Sequence, residues 1–330
     1  MIVFRHLLCP GDLTVMSALV RDYYRATGEL CCVQTPHSEG IWDSNPFVVH
    51  AFVPDDTVPS DYRVVNLHYK VSNDENDKQH FLQAFHADAS RQLGIDIPLT
   101  EFRPCLVLSK DEKRVRPIKE PYWLINAGGK WDFTTKWWDP DKWQRVIKLL
   151  HRPDFPRIYQ VGYTEYCQHP GLSGVHSLVD KTTLRELVRT IYHARGVICG
   201  VTATMHIAAA FSKPCVVVAG GREAWWWDSY SREAFNAIYP TIPEKYAPLA
   251  EQLTHHVFLH SIGKYDCCRY RGCWKMGIWE NRDKTKNCVQ HLPVRAGKRS
   301  IPQPRCMDEI KAEQVAGAAL GYERALVANQ

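Results

Sequence analysis

Residues 196–221 constrain this chain more than any other stretch. Val197-Ile-Cys199 is an apolar run ended by Gly200, and Thr202-Ala-Thr204 opens a small-residue segment in which His206–Phe211 reads as a helix. Lys213-Pro214 closes that helix, and Cys215-Val-Val-Val-Ala219 is a second apolar run before Gly220-Gly221. Short apolar runs flanking a helical segment read as one buried strand–helix–strand unit. Thr202, Ala203 and Thr204 stand at the helix start. Unpaired amides and the positive end of the helix dipole meet there, an anion site suited to a diphosphate. The same segment also reads as an ordinary crossover with no ligand.

The 330 residues suit two domains, each able to bury a core. Residues 1–108 repeat the rhythm, with strands at Met1–Leu8, Glu29–Gln34, Phe47–Phe52 and Val64–Leu67 and an edge strand at Cys105–Leu108. Helices are expected at Leu13–Ala26 and Lys78–Leu93. Residues 111–121 are charged, Pro-bounded and poor in apolar side chains, which reads as a linker between segments 1–110 and 122–262. Beyond it lie strands at Tyr122–Asn126, Arg157–Val161 and Gly196–Cys199. Helices are expected at Pro140–Leu150 and Thr182–Arg195, the latter capped by Thr182 or Thr183. Residues 263–306 are Cys-rich and irregular, and 307–330 close the chain as a helix. The expected architecture is α/β: two doubly wound Rossmann-like sheets facing a cleft, with the ligand at the carboxyl ends of the strands.

Composition narrows the class. Hydrophobic content of 45% and charged content of 23% are those of a globular protein, and a net charge of +5 permits acidic ligands without arguing for DNA. No apolar run is long enough to span a membrane, and Met1–Cys9 reads as a strand rather than a signal peptide. The twelve cysteines suit the reduced thiols of a cytoplasmic protein. The eleven tryptophans crowd into Trp123–Trp143, Trp225–Trp227 and Trp274–Trp279, where they serve either core packing or sugar stacking.

Several constellations could carry chemistry. Asp12 follows Pro10-Gly11 at the end of the first strand, either as a general base aimed into the cleft or as a helix cap. In Asn126–Trp138, Gly128-Gly129 free the backbone, while Lys130, Thr134, Thr135 and Lys136 could hold a leaving diphosphate; the alternative is a solvated basic loop. The Gly–Lys–Ser/Thr spacing of a Walker loop is absent. Glu165, after Val161-Gly-Tyr-Thr, is either a ribose contact or a surface carboxylate. Cys267, Cys268, Cys273, Cys288 and Cys306 lie outside any strand pattern. Four thiolates there suit a tetrahedral structural zinc or iron, and a disulfide pair or free thiols are the alternatives. The expected ligands are Cys268, Cys273, Cys288 and Cys306, with Cys267 able to exchange with its neighbour.

Gly11-Asp12, Thr134-Thr-Lys-Trp137 and Thr202-Ala-Thr-Met-His206 through Lys213-Pro214 together resemble glycosyltransferase family 9, the heptosyltransferases that use ADP-heptose. The likeness is strongest over about residues 122–221. Ala219-Gly-Gly-Arg-Glu223, Cys267-Cys, Gly272-Cys-Trp-Lys275 and Arg305-Cys-Met-Asp308 look like a Cys-containing branch, similar to the autotransporter heptosyltransferases with their iron finger. The resemblance implies a GT-B fold, with an acceptor-side domain at 1–110, a nucleotide-sugar domain at 122–262 and a metal knuckle at 263–306. It implies inverting transfer from an ADP-linked sugar with no catalytic metal. It makes Asp12 the base and Lys136, beside Thr134 or Thr135, the diphosphate contact. Thr202, Ala203 and His206 fall on the donor motif, with Thr204 between them. Val201 and Ala203 depart from that motif, replacing an acidic residue and a glycine. The acceptor would be a saccharide, a protein or another hydroxyl compound, and an oligomer is compatible. The rival reading is a non-catalytic GT-B scaffold that docks protein or nucleic acid through its knuckle and basic loops.

Overall fold

The computed structural model describes residues 1–71, 77–241, 246–251, 256–278, 284–292 and 303–328. The parts of the Cys-rich segment at 279–283 and 293–302, Trp279 among them, lie outside the described residues. Two parallel sheets organise the chain. The first contains β1 (Ile2–Arg5), β2 (Cys31–Gln34), β3 (Val48–Phe52) and β4 (Arg63–Asn66) in the order β3-β2-β1-β4. A two-stranded ribbon of β6 (Gly129–Lys130) and β8 (Cys167–Gln168) accompanies the second sheet. That sheet comprises β5 (Tyr122–Asn126), β7 (Arg157–Gln160), β9 (His176–Ser177), β10 (Gly196–Gly200), β11 (Cys215–Gly220) and β12 (His256–His260). Its order is β12-β11-β10-β5-β7-β9.

Local signals explain the helices. The first, Pro10–Thr27, begins with Pro at its first turn and ends at Gly28, whose φ of 74° is a left-handed conformation that only glycine adopts cheaply. Leu184–His193 is capped by Thr183 and Glu186 in a reciprocal capping box, which decides between the two candidate threonines. The helix expected from Lys78 starts instead at Phe81, because His80 caps it by accepting from the Leu82 amide. Ala203–Ala210 starts three residues before the expected His206, with Thr202 at its cap.

Two expectations are corrected. Cys105–Leu108 is not an edge strand; its backbone is pinned to the first helix, where the Cys105 amide donates to Ser17 Oγ at 2.8 Å. The charged linker opens with a short helix, Lys110–Arg114, capped by Ser109. Glu112 of that helix accepts from Arg185 at 2.7 Å, so the connection is tied to the second sheet's helices. The closing helix, Ala312–Ala328, buries Val315, Ala316 and Ala319 in a core beneath the second sheet, and Glu323 accepts from the Trp123 indole at 2.9 Å. The larger core runs from Phe4, Leu13 and Met16 through Phe85 to Met205, Ala208 and Trp227, joining the two sheets through shared buried surface.

Candidate active site

Asp12 lies in the first turn of helix Pro10–Thr27, buried, just beyond the carboxyl end of β1. Its carboxylate accepts from the Cys9 thiol at 2.6 Å on Oδ2 and from the Tyr69 hydroxyl at 2.8 Å on Oδ1. His6 Nε2 stands 3.9 Å from Oδ1. Burial alone would raise the Asp12 pKa, but the His6 imidazole and the Cys9 and Tyr69 donors outweigh it, and the value falls to about 2. Burial and the Asp12 charge push the Cys9 thiol up to about 11 and the Tyr69 phenol higher, so both remain protonated donors. The result is an ionised base held by neutral partners. As a cap it would have to serve the helix amides; the cap position belongs to Cys9, whose side chain makes no capping bond.

The anion site read from the sequence faces this carboxylate. A Cβ on Gly11 would sit 3.5 Å from Ala203 Cα and 3.6 Å from its amide nitrogen, so the starts of helices Pro10–Thr27 and Ala203–Ala210 abut. Thr202 caps the second helix without a side-chain hydrogen bond, and its hydroxyl is buried without a partner. Thr204 instead accepts from the Asn126 amide at 2.7 Å. His206 is buried, with Nδ1 2.8 Å from the Tyr230 hydroxyl and its ring against Phe81. Burial lowers its pKa to about 3, so it is neutral at working pH.

Lys136 reaches the same region from the short turn Thr134–Lys136. The two threonine hydroxyls are committed to the Cys-rich segment: Thr134 accepts from the Ile278 amide at 2.9 Å, and Thr135 donates to Lys275 O at 2.7 Å. They fix the turn, and Lys136 extends from it. Its ammonium pairs at 2.6 Å with buried Glu223, which also binds Arg222. Asp228 completes this cluster; burial, and then the Glu223 charge, raise its pKa to about 7. Sequence reasoning noted the Gly-Gly-Arg-Glu run but missed the cluster, because Asp228 is masked by the tryptophans before it.

Lys130 and Glu165 are more peripheral. Lys130 Nζ lies 3.3 Å from Asp132, and exposed Glu165 accepts from the Tyr163 hydroxyl. Sequence reasoning also missed His169. Its ring fills the space over Gly128 and Gly162, where an added Cβ would come within 2.0 and 2.1 Å of it. Burial lowers its pKa, and Nδ1 has no partner. Gly128 thus makes room for this ring, while its neighbour Gly129 makes room for Trp137.

The five cysteines share one small cavity with Thr135, Gly221 and Arg222. The Cys273 amide donates to Gly221 O at 3.1 Å, and Trp274 to Arg222 O at 2.9 Å, so the segment folds onto the end of β11. All twelve cysteines are free thiols, which removes the disulfide alternative from this structure. Among the described residues no group of three or more His, Cys, Asp or Glu side chains is gathered closely enough to hold a metal ion. Burial pushes the Cys273 thiol up to about 12 and that of Cys306 further. Among the described residues no helix is long and apolar enough to cross a membrane.

This arrangement, two parallel sheets meeting at a buried carboxylate and a helix start, matches the GT-B-like fold of family 9 glycosyltransferase structures. The chain belongs to glycosyltransferase family 9 (heptosyltransferase), whose sequence profile matches residues 57–246, and it is accordingly an enzyme of that class. A family 9 glycosyl transferase from Veillonella parvula DSM 2008 is similar over 98% of this chain and 97% of its own, at 12% identity and a TM-score of 0.64. The iron-containing dodecameric glycosyltransferase TibC from enterotoxigenic E. coli H10407 is 18% identical over 98% of this chain and 76% of its own, with a TM-score of 0.62. The ADP-heptose LPS heptosyltransferase II of E. coli is 13% identical over 98% of both chains, with a TM-score of 0.59. No curated protein sequence matches the chain.

Proposed function

We propose that the chain is an inverting transferase that moves a heptose or related sugar from ADP to a hydroxyl of a saccharide or protein. The observation that carries this reading is the ionised, buried Asp12 facing the start of helix Ala203–Ala210. Asp12 takes the proton of the acceptor hydroxyl. The acceptor oxygen forms its bond to the anomeric carbon as the bond from that carbon to the diphosphate breaks. The Ala203 amide, the unpartnered Thr202 hydroxyl and Lys136 receive the charge that develops on the departing ADP. Lys136 does so by exchanging part of its pairing with Glu223. His206 supports the helix start from behind, and Thr134 and Thr135 position Lys136. Lys130 and Glu165 line the outer edge, where a ribose would lie. ADP-linked donors are favoured because TibC is described in complex with ADP-D-beta-D-heptose. Residues 1–110 form the acceptor side and 122–262 the donor side, and the free thiols suit the cytoplasm.

We further propose that the cysteine cavity takes a structural iron or zinc. Five cysteines line it, and Arg222 and Lys275 stand nearby to offset thiolate charge. Cys268, Cys273, Cys288 and Cys306 would hold the ion, with exposed Cys267 the spare. Its role is to tie the 263–306 segment to β11 and the Thr134–Lys136 turn. The deciding experiment offers ADP-heptose, GDP-mannose and UDP-glucose to the protein and follows nucleoside diphosphate release and thermal protection. ADP release from ADP-heptose, with protection by ADP, supports the reading. No release and no protection by ADP, GDP or UDP would favour the scaffold alternative.

A further inference from the structure

We propose that His6 completes the base: its Nε2 takes over from Asp12 the proton removed from the acceptor hydroxyl. The inference rests on the reading of Asp12 as the base, and it assigns the next step of that proton's path. His6 follows β1 directly and is 5% exposed. Its Nδ1 lies 3.0 Å from Leu67 O. A carbonyl oxygen only accepts, so Nδ1 carries the hydrogen, and in the neutral ring Nε2 keeps its lone pair. That nitrogen is buried, has no hydrogen-bond partner and lies 3.9 Å from Asp12 Oδ1. The ring is held edge-on to Phe85 at 5.0 Å and tilted against Tyr69 at 5.9 Å, so its direction is set by packing. A buried ring nitrogen without a partner is costly for a fold to keep. An acceptor aimed at the atom that will carry a proton explains why this one is kept.

The chemistry favours the transfer. Asp12 already accepts from the Cys9 thiol and the Tyr69 hydroxyl, which favour its ionised form, so it is a poor resting place for a proton. The His6 Nε2 lone pair, free of any other hydrogen bond, is an acceptor beside it. During turnover the acceptor O–H bond breaks and its proton passes to Asp12. The new C–O bond forms, and ADP leaves with the electron pair of the old one. The proton then moves from Asp12 to His6 Nε2, which requires a closer approach of the two side chains. The carboxylate is restored beside an imidazolium, which later loses the proton to solvent. The titratable groups facing His6 are Asp12 at the start of the first helix, itself bonded by Cys9, and Tyr69 after β4; helix Phe81–Leu93 presents the Phe85 ring. Cys9 and Tyr69 already donate to Asp12, so His6 is the acceptor among these neighbours.

The test combines kinetics with a measurement that needs no turnover. ADP release from ADP-heptose, with water as the acceptor, should fall about 100-fold in kcat in His6→Phe, while the donor KM stays within about twofold. In 15N-histidine NMR of the wild type, His6 should show a protonated Nδ1 and a bare Nε2, and the Nε2 signal should move in Asp12→Asn. An unchanged kcat in His6→Phe overturns the relay. So does a proton on Nε2 in the neutral ring, or an Nε2 signal indifferent to Asp12→Asn, even if His6→Phe fails to fold. Absence of ADP release from the wild type would remove the transferase reading and the relay with it; release that persists in His6→Phe removes the relay alone.

Discussion

Replacing Asp228 by Asn should stabilise the protein above neutral pH and leave the stability difference small near pH 4. Asp228 is buried beside Glu223, and its pKa is raised from 3.8 to about 7, first by desolvation and then by the Glu223 charge. An acid whose folded pKa exceeds its unfolded one binds its proton more tightly in the fold. The fold benefits fully below about pH 4, and the benefit is lost as pH climbs through 4 to 7. Each unit is worth about 1.4 kcal/mol, so the wild type should lose about 4 kcal/mol over that window through this group. Asn cannot ionise and should show no such loss. Urea unfolding of both proteins from pH 4 to pH 8 measures the difference, and comparing its value across pH cancels any fixed cost of the amide. A difference that does not change with pH would refute the reasoning. The consequence reaches the donor site. With Asp228 neutral, Lys136 and Arg222 outweigh Glu223 by one positive charge, which favours a diphosphate; ionised Asp228 cancels it. Donor affinity in the wild type should therefore weaken above pH 7, and in Asp228→Asn it should not.

Asp12→Asn should lower kcat about 100- to 10,000-fold with donor affinity nearly unchanged, checked by ADP release and calorimetry. Lys136→Ala should cost on the order of 2–4 kcal/mol in the transition state, read as kcat/KM for ADP-heptose. It leaves buried Glu223 with Arg222 as its remaining ion-pair partner, so a fall in melting temperature should accompany the kinetic loss. ADP at one hundred times its Kd should stabilise the wild type by about 2.7 kcal/mol, and Thr202→Pro should weaken that protection by constraining the turn at the helix start. Elemental analysis should find about one iron or zinc per chain, with Cys306→Ser losing it; metal-free protein of native stability would end the knuckle proposal.

The sequence made the repeating elements legible because their causes are local. Short β-branched runs gave the parallel strands, and the Thr183–Glu186 spacing fixed a helix start to within one residue. Where a long-range contact decides, the reading failed. Cys105–Leu108 has a strand's composition, but the Ser17 hydroxyl holds it against a helix. The strand His256–His260 completes the second sheet only because β11 offers its edge. The Cys-rich segment was recognisable by spacing, but that Thr134 and Thr135 bind its backbone rather than a ligand is a contact across more than a hundred residues.

The candidate base shows the same division. Asp12 could be singled out because a carboxylate after Pro-Gly at a strand end is a local pattern, whereas its partners depend on strand pairing. β1 pairs in parallel with β4, matching Arg5 to Asn66. The residues that follow these two strand ends, His6 on one side and Leu67 to Tyr69 on the other, are therefore delivered side by side. Leu67 O fixes the His6 ring and Tyr69 holds the Asp12 oxygen, although Tyr69 is 57 positions from Asp12 in the chain. A one-residue slip of that register would turn the strand's side chains to the opposite face and separate the three groups. The chemistry of Asp12 is thus set by the packing that fixes the first sheet. Substitutions that disturb the β1–β4 register should impair catalysis before they unfold the protein.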